Sequence, residues 1–311
     1  MSLLVVGSAV YDITGHFLSE EVSFGDSNPS NIYTGCGGVG RNIAENAARI
    51  GLATGLITTW GTDVSSAELR ASCENVGVDV SRVYVCEGSK PSIYINLLDS
   101  RGELLLAAAD LAALEAVPTE VFTANTEYIN RHKLVCLDAN LVEDQLLAIT
   151  AGCRVTIIGE TVSSAKAPRF RPVLKHIHTL KTNAAELAAL TGRSTAGRRD
   201  IISAAQELLA AGVERVYVTQ GEHGACCIDR QGSVWIGGIE TCVTSVTGVG
   251  DAFAVGVAYG MLRGLSPADT LLFGTAMSHI TLRSPSAVSG DINETTVLRL
   301  KQKLEREASW T

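Results

Sequence analysis

Short runs of apolar residues that end in polar clusters recur along the chain. The clearest runs are Leu3–Val6, Leu134–Leu137, Val155–Ile158, His178–Lys181 and Val216–Thr219. Strands buried on both faces have this near-continuous apolar pattern, and helical segments between them indicate parallel connections. The pattern predicts an α/β fold with a mostly parallel central sheet. Ligands bind such sheets at the carboxyl ends of the strands, where the polar clusters lie.

Two further segments alternate between apolar and polar residues without a helical period. Residues 13–35 alternate loosely and contain a strong turn signal at 26–30. Residues 90–106 have the pattern of a hairpin with its turn at 99–102. We expect residues 1–311 to form a single domain in which these two segments build a small β-sheet lid beside the main sheet.

Composition and charge narrow the class of protein. The chain has 311 residues, 46% of them hydrophobic and 19% charged, as in soluble globular proteins. No apolar run reaches the roughly 18 residues needed to cross a membrane. The net charge of −8 argues against nucleic acid as a partner. The eight cysteines show no metal-binding spacing, and we expect buried thiols in a reducing cytoplasm.

The segment Thr247–Asp251 precedes a run that is apolar on every side as far as Leu262. Such a run predicts a buried helix, beginning near Asp251. The glycine-rich loop Gly248–Gly250 would leave unpaired amides at the positive end of this helix, which is a site for anions. Asp251 then has two interpretations: a helix N-cap, or a general base that takes a proton from a substrate hydroxyl.

A second glycine-rich segment, Gly35–Asn42, leads into a predicted helix that ends at Gly51. Arg41, Glu45 and Arg49 follow one another at spacings of four and are expected to form ion pairs. A dinucleotide fingerprint is excluded, because its glycines would follow the first strand directly. From the residues alone, Asn42 is a helix-start residue.

Both glycine-rich segments resemble the signatures of the ribokinase-like (PfkB) carbohydrate kinases, and Asp12 resembles the family's N-terminal aspartate. The resemblance implies a three-layer α/β/α fold with a small β-sheet lid. It implies a catalytic base at Asp251 and an anion hole at the amides of Gly248, Val249 and Gly250. The residues that it implies for sugar binding are Asp12, Gly37, Gly38 and Asn42.

Asn183 and Glu186 lie three residues apart on the first turn of a predicted helix. From the residues alone they form a cap. The resemblance implies that they organise Mg²⁺ around the phosphates of ATP. The contact is expected to be indirect, through water, since magnesium keeps several waters. Ser245 stands where many members of the family have an aspartate of a monovalent-cation site. A requirement for K⁺ therefore stays open.

The segment Thr219–Gly224, with glycines at positions 221 and 224, resembles the nucleotide-binding loop of this family. Thr219 and Gly221 would lie near the phosphates of ATP. The residues implied for this loop and for an adenine pocket along 235–243 and 275–282 are Thr219, Gly221, Gly224, Ser278 and His279.

The acceptor is indicated by Asp26–Pro29 and Val162–Lys166, which are similar to segments of family members that act on pseudouridine. There the lysine, here Lys166, faces the base, and a lysine can donate to a uracil carbonyl. Glu160 and Thr161 depart from the Asp-Pro of those members.

The resemblance thus implies transfer of the γ-phosphate of ATP to the 5′-hydroxyl of pseudouridine. Two alternatives stay open. One is a kinase of another nucleoside or of a free pentose or hexose, and the other is a non-catalytic sugar- or nucleoside-binding protein of the same fold. Small molecules are the expected partners, with neither nucleic acid nor membrane, and we expect a homodimer through the lid.

Overall fold

A computed structural model describes residues 2–308 and residue 310. Its strands form two main sheets and a short two-stranded one. In chain order the strands are β1 (Ser2–Val6), β2 (Val10–Phe17), β3 (Ser30–Gly37), β4 (Ala53–Ile57), β5 (Thr59–Trp60), β6 (Tyr84–Val85), β7 (Ser92–Leu98), β8 (Leu104–Asp110), β9 (Leu134–Asp138), β10 (Thr156–Glu160), β11 (Thr179–Asn183), β12 (Arg215–Thr219), β13 (Ala225–Asp229) and β14 (Gly232–Ile236).

The central sheet has eight strands in the order β14-β13-β12-β11-β10-β9-β1-β4. Six adjacent strands of this sheet pair in parallel, namely β12, β11, β10, β9, β1 and β4. The hairpin of β13 and β14 adds two antiparallel strands at one edge. The predicted mostly parallel sheet is therefore confirmed, and all five predicted apolar runs contribute strands to it.

Helices cover both faces of the central sheet. Side chains alternate along β1, so Leu3 and Val5 join one core cluster while Leu4 and Val6 join the other. The helices are α1 (Val39–Arg49), α2 (Val64–Glu74), α3 (Ala112–Glu115), α4 (Thr119–Ala124), α5 (Thr126–Ile129), α6 (Glu143–Gly152), α7 (Ala184–Thr191), α8 (Arg198–Ala210), α9 (Val249–Arg263), α10 (Pro267–Leu282) and α11 (Glu294–Glu307). A 3-10 helix spans Ala167–His176.

The small sheet has four strands in the order β3-β2-β7-β8. It joins the two segments that alternate in the sequence, although β2 begins at Val10 and β8 continues to Asp110. The turn predicted at 99–102 is present, with Gly102 N–H donating to the carbonyl of Asp99 at 3.0 Å. Strands far apart in sequence, β2 and β7, pair in parallel at the centre of this sheet.

The predicted buried helix corresponds to α9, whose residues 251–260 are all buried. It packs against α10 at very close range, since a Cβ on Gly256 would lie 2.3 Å from the Cα of Gly274. The rings of Tyr259 and Phe273 stack across the same interface with centroids 4.1 Å apart. This helix is apolar all round because it lies between the sheet and α10.

The structure bears on two predictions from the sequence, the absence of membrane-spanning segments and the burial of the cysteines. Within residues 2–308 and 310, no helix combines the length and the apolar character needed to cross a membrane. All eight cysteines are free thiols. The expectation that they are buried is wrong for Cys242, which is exposed in the loop after β14, and is met only in part by Cys36, Cys86 and Cys153, which are half-buried.

Candidate active site

A cleft of about 1140 Å³ lies between the carboxyl edge of the central sheet and the small sheet. Fifteen of the sixteen residues predicted to bind ligands or to act in catalysis line it, and Gly37 does not. Those brought together are Asp12, Gly38, Asn42, Lys166, Asn183, Glu186, Thr219, Gly221, Gly224, Gly248, Val249, Gly250, Asp251, Ser278 and His279.

Asp251 lies in the first turn of α9, which begins at Val249, two residues before it and close to the predicted start. The N-cap is Gly248, so the interpretation of Asp251 as the cap is wrong. Gly248 has φ +77, and a Cβ there would lie 2.0 Å from the carbonyl oxygen of Ala287. Glycine is required at this position. Among the described residues, the first-turn amides of this helix therefore have no hydrogen-bond acceptor, and its carboxylate is not used for capping.

Asn42 holds the carboxylate of Asp251. Nδ2 of Asn42 donates to Oδ2 of Asp251 at 2.7 Å. Oδ1 of Asn42 in turn accepts from Nη2 of Arg41 at 2.5 Å. Arg41 is itself held by an ion pair with Glu45 and by donation to the carbonyl of Gly37 at 3.1 Å. The predicted Arg41–Glu45–Arg49 chain of ion pairs is present. This network orients Asp251, a role that the sequence did not indicate for Asn42.

Asp12 projects from β2 into the cleft, and the residues described offer its carboxylate no hydrogen-bond donor. Two glycines make room around it. A Cβ on Gly37 would lie 2.0 Å from Oδ2 of Asp12, and a Cβ on Gly38, where φ is +92, would lie 2.7 Å from the carbonyl oxygen of Ser8. Gly37 does not line the cleft itself; its lack of a side chain leaves the space that the carboxylate of Asp12 occupies.

Burial dominates the acid–base behaviour of both aspartates. It raises the pKa of Asp251 to about 6, although the hydrogen bond from Asn42 and the charge of Lys181 lower it. Burial also raises the pKa of Asp12 to about 6, against the charge of Arg41. A carboxyl group with a pKa near 6 is ionised at neutral pH and remains a competent proton acceptor.

Lys181 and Glu160 form a buried ion pair beneath the glycine-rich loop, with 3.1 Å between Nζ and Oε1. A Cβ on Gly250 would lie 2.8 Å from Nζ of Lys181, so the ammonium group lies directly beside the start of α9. Burial favours the neutral amine, but the neighbouring carboxylates, Glu160 foremost, outweigh it and raise the pKa of Lys181. Sequence reasoning missed this cation, whose one signal was its position two residues before Asn183.

Asn183 and Glu186 form a reciprocal cap at the start of α7. Asn183 Oδ1 accepts from the N–H of Glu186 at 2.8 Å, and Asn183 N–H donates to Glu186 Oε2 at 3.0 Å. Thr161 Oγ1 also donates to Oε2, at 2.5 Å. The capping interpretation is therefore correct, and both side chains also face the cleft.

The far end of the cleft is formed by the segment after β12. Gly224 has φ +95, and a Cβ there would lie 2.1 Å from the carbonyl oxygen of Ile236, so only glycine fits. Ser278 Oγ donates to the carbonyl of Val249 at 3.2 Å, which ties α10 to the start of α9. The buried His279 lines the same end, and burial lowers its pKa.

Lys166 lies at the opposite end, just before the 3-10 helix. Its Nζ donates to Oδ1 of Asn140 at 2.5 Å, and burial lowers its pKa. Asn140 is one of the cleft residues that sequence reasoning missed, together with Ser8 and Tyr94. Lys166 is therefore not a solvated surface charge.

The cleft thus holds a buried carboxylate, Asp251, in the first turn of a helix and a second carboxylate, Asp12, on the small sheet. Phosphoryl transfer needs such positioned groups together with donors that stabilise charge. The sequence model described as "pfkB family carbohydrate kinase" matches residues 1–294. The chain belongs to the pfkB family of carbohydrate kinases and is a phosphotransferase.

Individual relatives agree with this assignment. The chain is 32% identical to the pseudouridine kinase of Escherichia coli over 305 residues, which cover 97% of each chain. Among solved structures, a carbohydrate kinase from Agrobacterium tumefaciens is 28% identical, with a TM-score of 0.83 and 97% of each chain covered. The ribokinase of Arabidopsis thaliana, complexed with ribose and ATP, is 22% identical with a TM-score of 0.86, covering 96% of this chain and 98% of that one, and shows the same fold.

Proposed function

We propose that the protein transfers the γ-phosphate of ATP to the 5′-hydroxyl of pseudouridine, giving pseudouridine 5′-phosphate. The observation that carries the proposal is the buried carboxylate of Asp251 beside the free amides of the α9 start, in one cleft with Asp12 and Lys166. The 32% identity to the Escherichia coli pseudouridine kinase supports the choice of acceptor.

The proposed reaction gives distinct parts to a few residues of the cleft. Asp12 accepts hydrogen bonds from sugar hydroxyls, and Asp251, held by Asn42, takes the proton of the attacking hydroxyl. The amides of Gly248–Gly250 and the nearby ammonium group of Lys181 stabilise charge on the transferring phosphoryl group. Residues around Thr219 and Ser278 hold the nucleotide at the far end.

The donor set also fits a hydrated magnesium ion. The oxygens of Asn183 and Glu186 are engaged in the α7 cap, so they suit contact through water rather than direct ligation. Oε2 of Glu160 is buried without a partner among the described residues and lies in the same part of the cleft. Bound there, Mg²⁺ would neutralise charge on the phosphates.

The proposal is tested by measuring ATP consumption with magnesium on pseudouridine, uridine, adenosine, inosine, ribose and fructose. Strong preference for pseudouridine supports it. Preference for another acceptor retains the kinase and overturns the substrate. ATP binding without turnover on any acceptor would favour the non-catalytic alternative, although a binding protein has no need of a buried base such as Asp251.

The acid limb of the pH–rate profile should reflect the raised pKa values. Asp251 must be ionised to accept a proton, so kcat/KM should fall as the pH drops below about 6, rather than below the ordinary aspartate value of about 4. Steady-state rates from pH 4.5 to 8 measure this. Asp12→Asn removes the other group that titrates near 6, so its remaining limb reports Asp251. A limb near pH 4 would contradict the role of Asp251.

Replacement of Lys166 by alanine should raise the KM for pseudouridine about tenfold or more and that for ribose by less than about twofold. The reason is that a base contact is lost while the sugar contacts at Asp12 remain. Parallel KM measurements on the two acceptors test this. Equal effects on both would remove the base contact from the proposal.

A second copy of the chain is the proposed partner of the small sheet. Ile32 and Leu106 are 62% and 61% exposed, and the register across Gly15 and Leu97 places them on one face. An apolar sheet face of this kind favours dimerisation. Sedimentation velocity should show a dimer that the double variant Ile32→Glu/Leu106→Glu dissociates, while Leu298→Glu on α11 leaves it intact. A monomeric wild type would contradict the prediction.

The eight free thiols suit a reducing compartment, so a cytoplasmic location forms part of the proposal.

A further inference from the structure

Asn140 and Lys166 lie side by side on the floor of the cleft at its acceptor end. They follow β9 and β10, which pair in parallel, so both come to the same edge of the sheet. Lys166 Nζ donates to Asn140 Oδ1 at 2.5 Å, and Asn140 is only 4% exposed. The pair presents a hydrogen-bond acceptor directly beside a donor.

A chain of hydrogen bonds fixes the direction of the Asn140 amide. The hydroxyl of Ser8 donates its one hydrogen to Asp138 Oδ2 at 3.0 Å. Toward Asn140 this hydroxyl can therefore only accept a hydrogen bond. Asn140 Nδ2 donates to it at 2.9 Å. The NH₂ group must therefore point toward Ser8, and Oδ1 toward Lys166 and the cleft.

The backbone of Asn140 is held as firmly as its side chain. Its N–H donates to Asp138 Oδ1 at 2.9 Å, and its carbonyl accepts from Arg169 Nη1 at 2.9 Å. Arg169 is in turn anchored by Glu115 at 2.8 Å. Ser8 and Asp138 are completely buried. Such a supported side chain is pre-organised, as expected for a recognition group.

Hydrogen-bonding capacity remains on both groups. The Oδ1 of Asn140 has a second lone pair, and the ammonium group of Lys166 has two further N–H groups. The opposite wall is less polar, with Tyr94, Ala109 and Leu111 lining the cleft from the small sheet and the segment after it. Tyr94 is the register partner of both Asp12 and Ala109, so it faces the same way as the proposed sugar ligand.

We propose that Asn140 determines specificity for the base of the acceptor. Its Oδ1 accepts a ring N–H while Lys166 donates to the adjoining ring carbonyl, so the pair recognises an N–H next to a C=O. This inference rests on the proposed nucleoside kinase function. Pseudouridine, whose base is attached through carbon, offers two ring N–H groups of this kind, whereas uridine has one and ribose has none.

The test compares kcat/KM of the wild type and Asn140→Ala on pseudouridine, its N1-methyl and N3-methyl derivatives, uridine and ribose. The variant should lose about tenfold on pseudouridine, mainly through KM, and less than about twofold on ribose. The wild type should discriminate about tenfold against one methyl derivative, the one that blocks the N–H bound by Asn140. Asn140→Ala should lose that discrimination, which a purely structural role would leave in place.

Controls separate lost recognition from lost structure. Asn125→Ala removes an amide outside the cleft, one that donates to Val121 at 2.8 Å, and should leave all five acceptors unchanged. ATP affinity and thermal unfolding identify misfolding. Should Asn140→Ala not fold, Asn140→Ser keeps a partner for Ser8 but is too short to reach the base. The double variant with Lys166→Ala should lose less than the product of the single losses.

Equal losses on pseudouridine and ribose, or unchanged discrimination against the methyl derivatives in Asn140→Ala, would overturn the inference. Turnover of ribose by the wild type without preference for any nucleoside would overturn it too, yet leave a kinase. Absence of turnover on every acceptor would defeat the proposed function itself and the inference with it.

Discussion

Asp251→Asn is expected to lower turnover by at least about a hundredfold while leaving the affinities for ATP and nucleoside nearly unchanged. The amide has the shape of the carboxylate, and its oxygen can still accept the hydrogen bond that Asn42 Nδ2 donates to Asp251. What is lost is the ability to take a proton from the attacking hydroxyl. Single-turnover rates and calorimetric titrations with each ligand measure the two effects separately.

Asp269→Asn provides a matched control for this experiment. Asp269 lies at the start of α10 in an ion pair with Lys301 at 2.6 Å, outside the cleft. Its replacement should leave turnover per folded molecule unchanged. Near-normal turnover in Asp251→Asn would rule out the general-base role, and a large loss of ligand affinity would show that the residue acts mainly through structure.

Lys181→Met should destabilise the protein by up to about 3–5 kcal/mol, because Glu160 loses its cation and must take up a proton or stay as an unpaired buried charge. Burial already raises the pKa of Glu160 to about 8, against the charge of Lys181, which lowers it. Both partners are nearly inaccessible, with side-chain exposures of 5% and 3%. The variant should also lose turnover, since the ammonium group beside Gly250 is gone. Urea unfolding measures the stability, and turnover is measured well below the denaturation midpoint.

The double variant Glu160→Gln/Lys181→Met distinguishes the two effects. Removing both charges should restore much of the stability but not the turnover. Recovery of turnover in the double variant would mean that Lys181 is only structural. As a control, Lys301→Met breaks the partly exposed pair with Asp269 and should cost no more than about 1 kcal/mol.

The main sheet could be predicted from the sequence because a strand buried on both faces needs apolar residues throughout. The run Leu134–Leu137 therefore identified β9 to within a residue. The start of α9 could be predicted only to within two residues, since the cap residue Gly248 has no side chain that would mark it in the sequence. A glycine cap with φ +77 depends on the close approach of Ala287, which the sequence does not display.

The cleft residues that lie in glycine-rich segments could be predicted from the sequence. Those that are brought together by the order and register of the strands could not. Lys181 meets Glu160 because β10 and β11 pair in a register that sets the two residues opposite each other. Asn140 and Lys166 lie in the segments that follow β9 and β10, and they meet because these two strands are neighbours in the sheet. No spacing along the chain encodes these pairs, since they follow from which strands are neighbours.

The hydrogen bond from Asn42 to Asp251 joins residues 209 positions apart. During synthesis the first glycine-rich segment leaves the ribosome long before α9 has been made. In the same way, β1 is synthesised well before β9, with which it pairs in the sheet. Contacts this distant in sequence form late and slowly. A nascent chain that ends before residue 251 of 311 lacks the proposed base altogether, so it cannot transfer phosphate from ATP through this site.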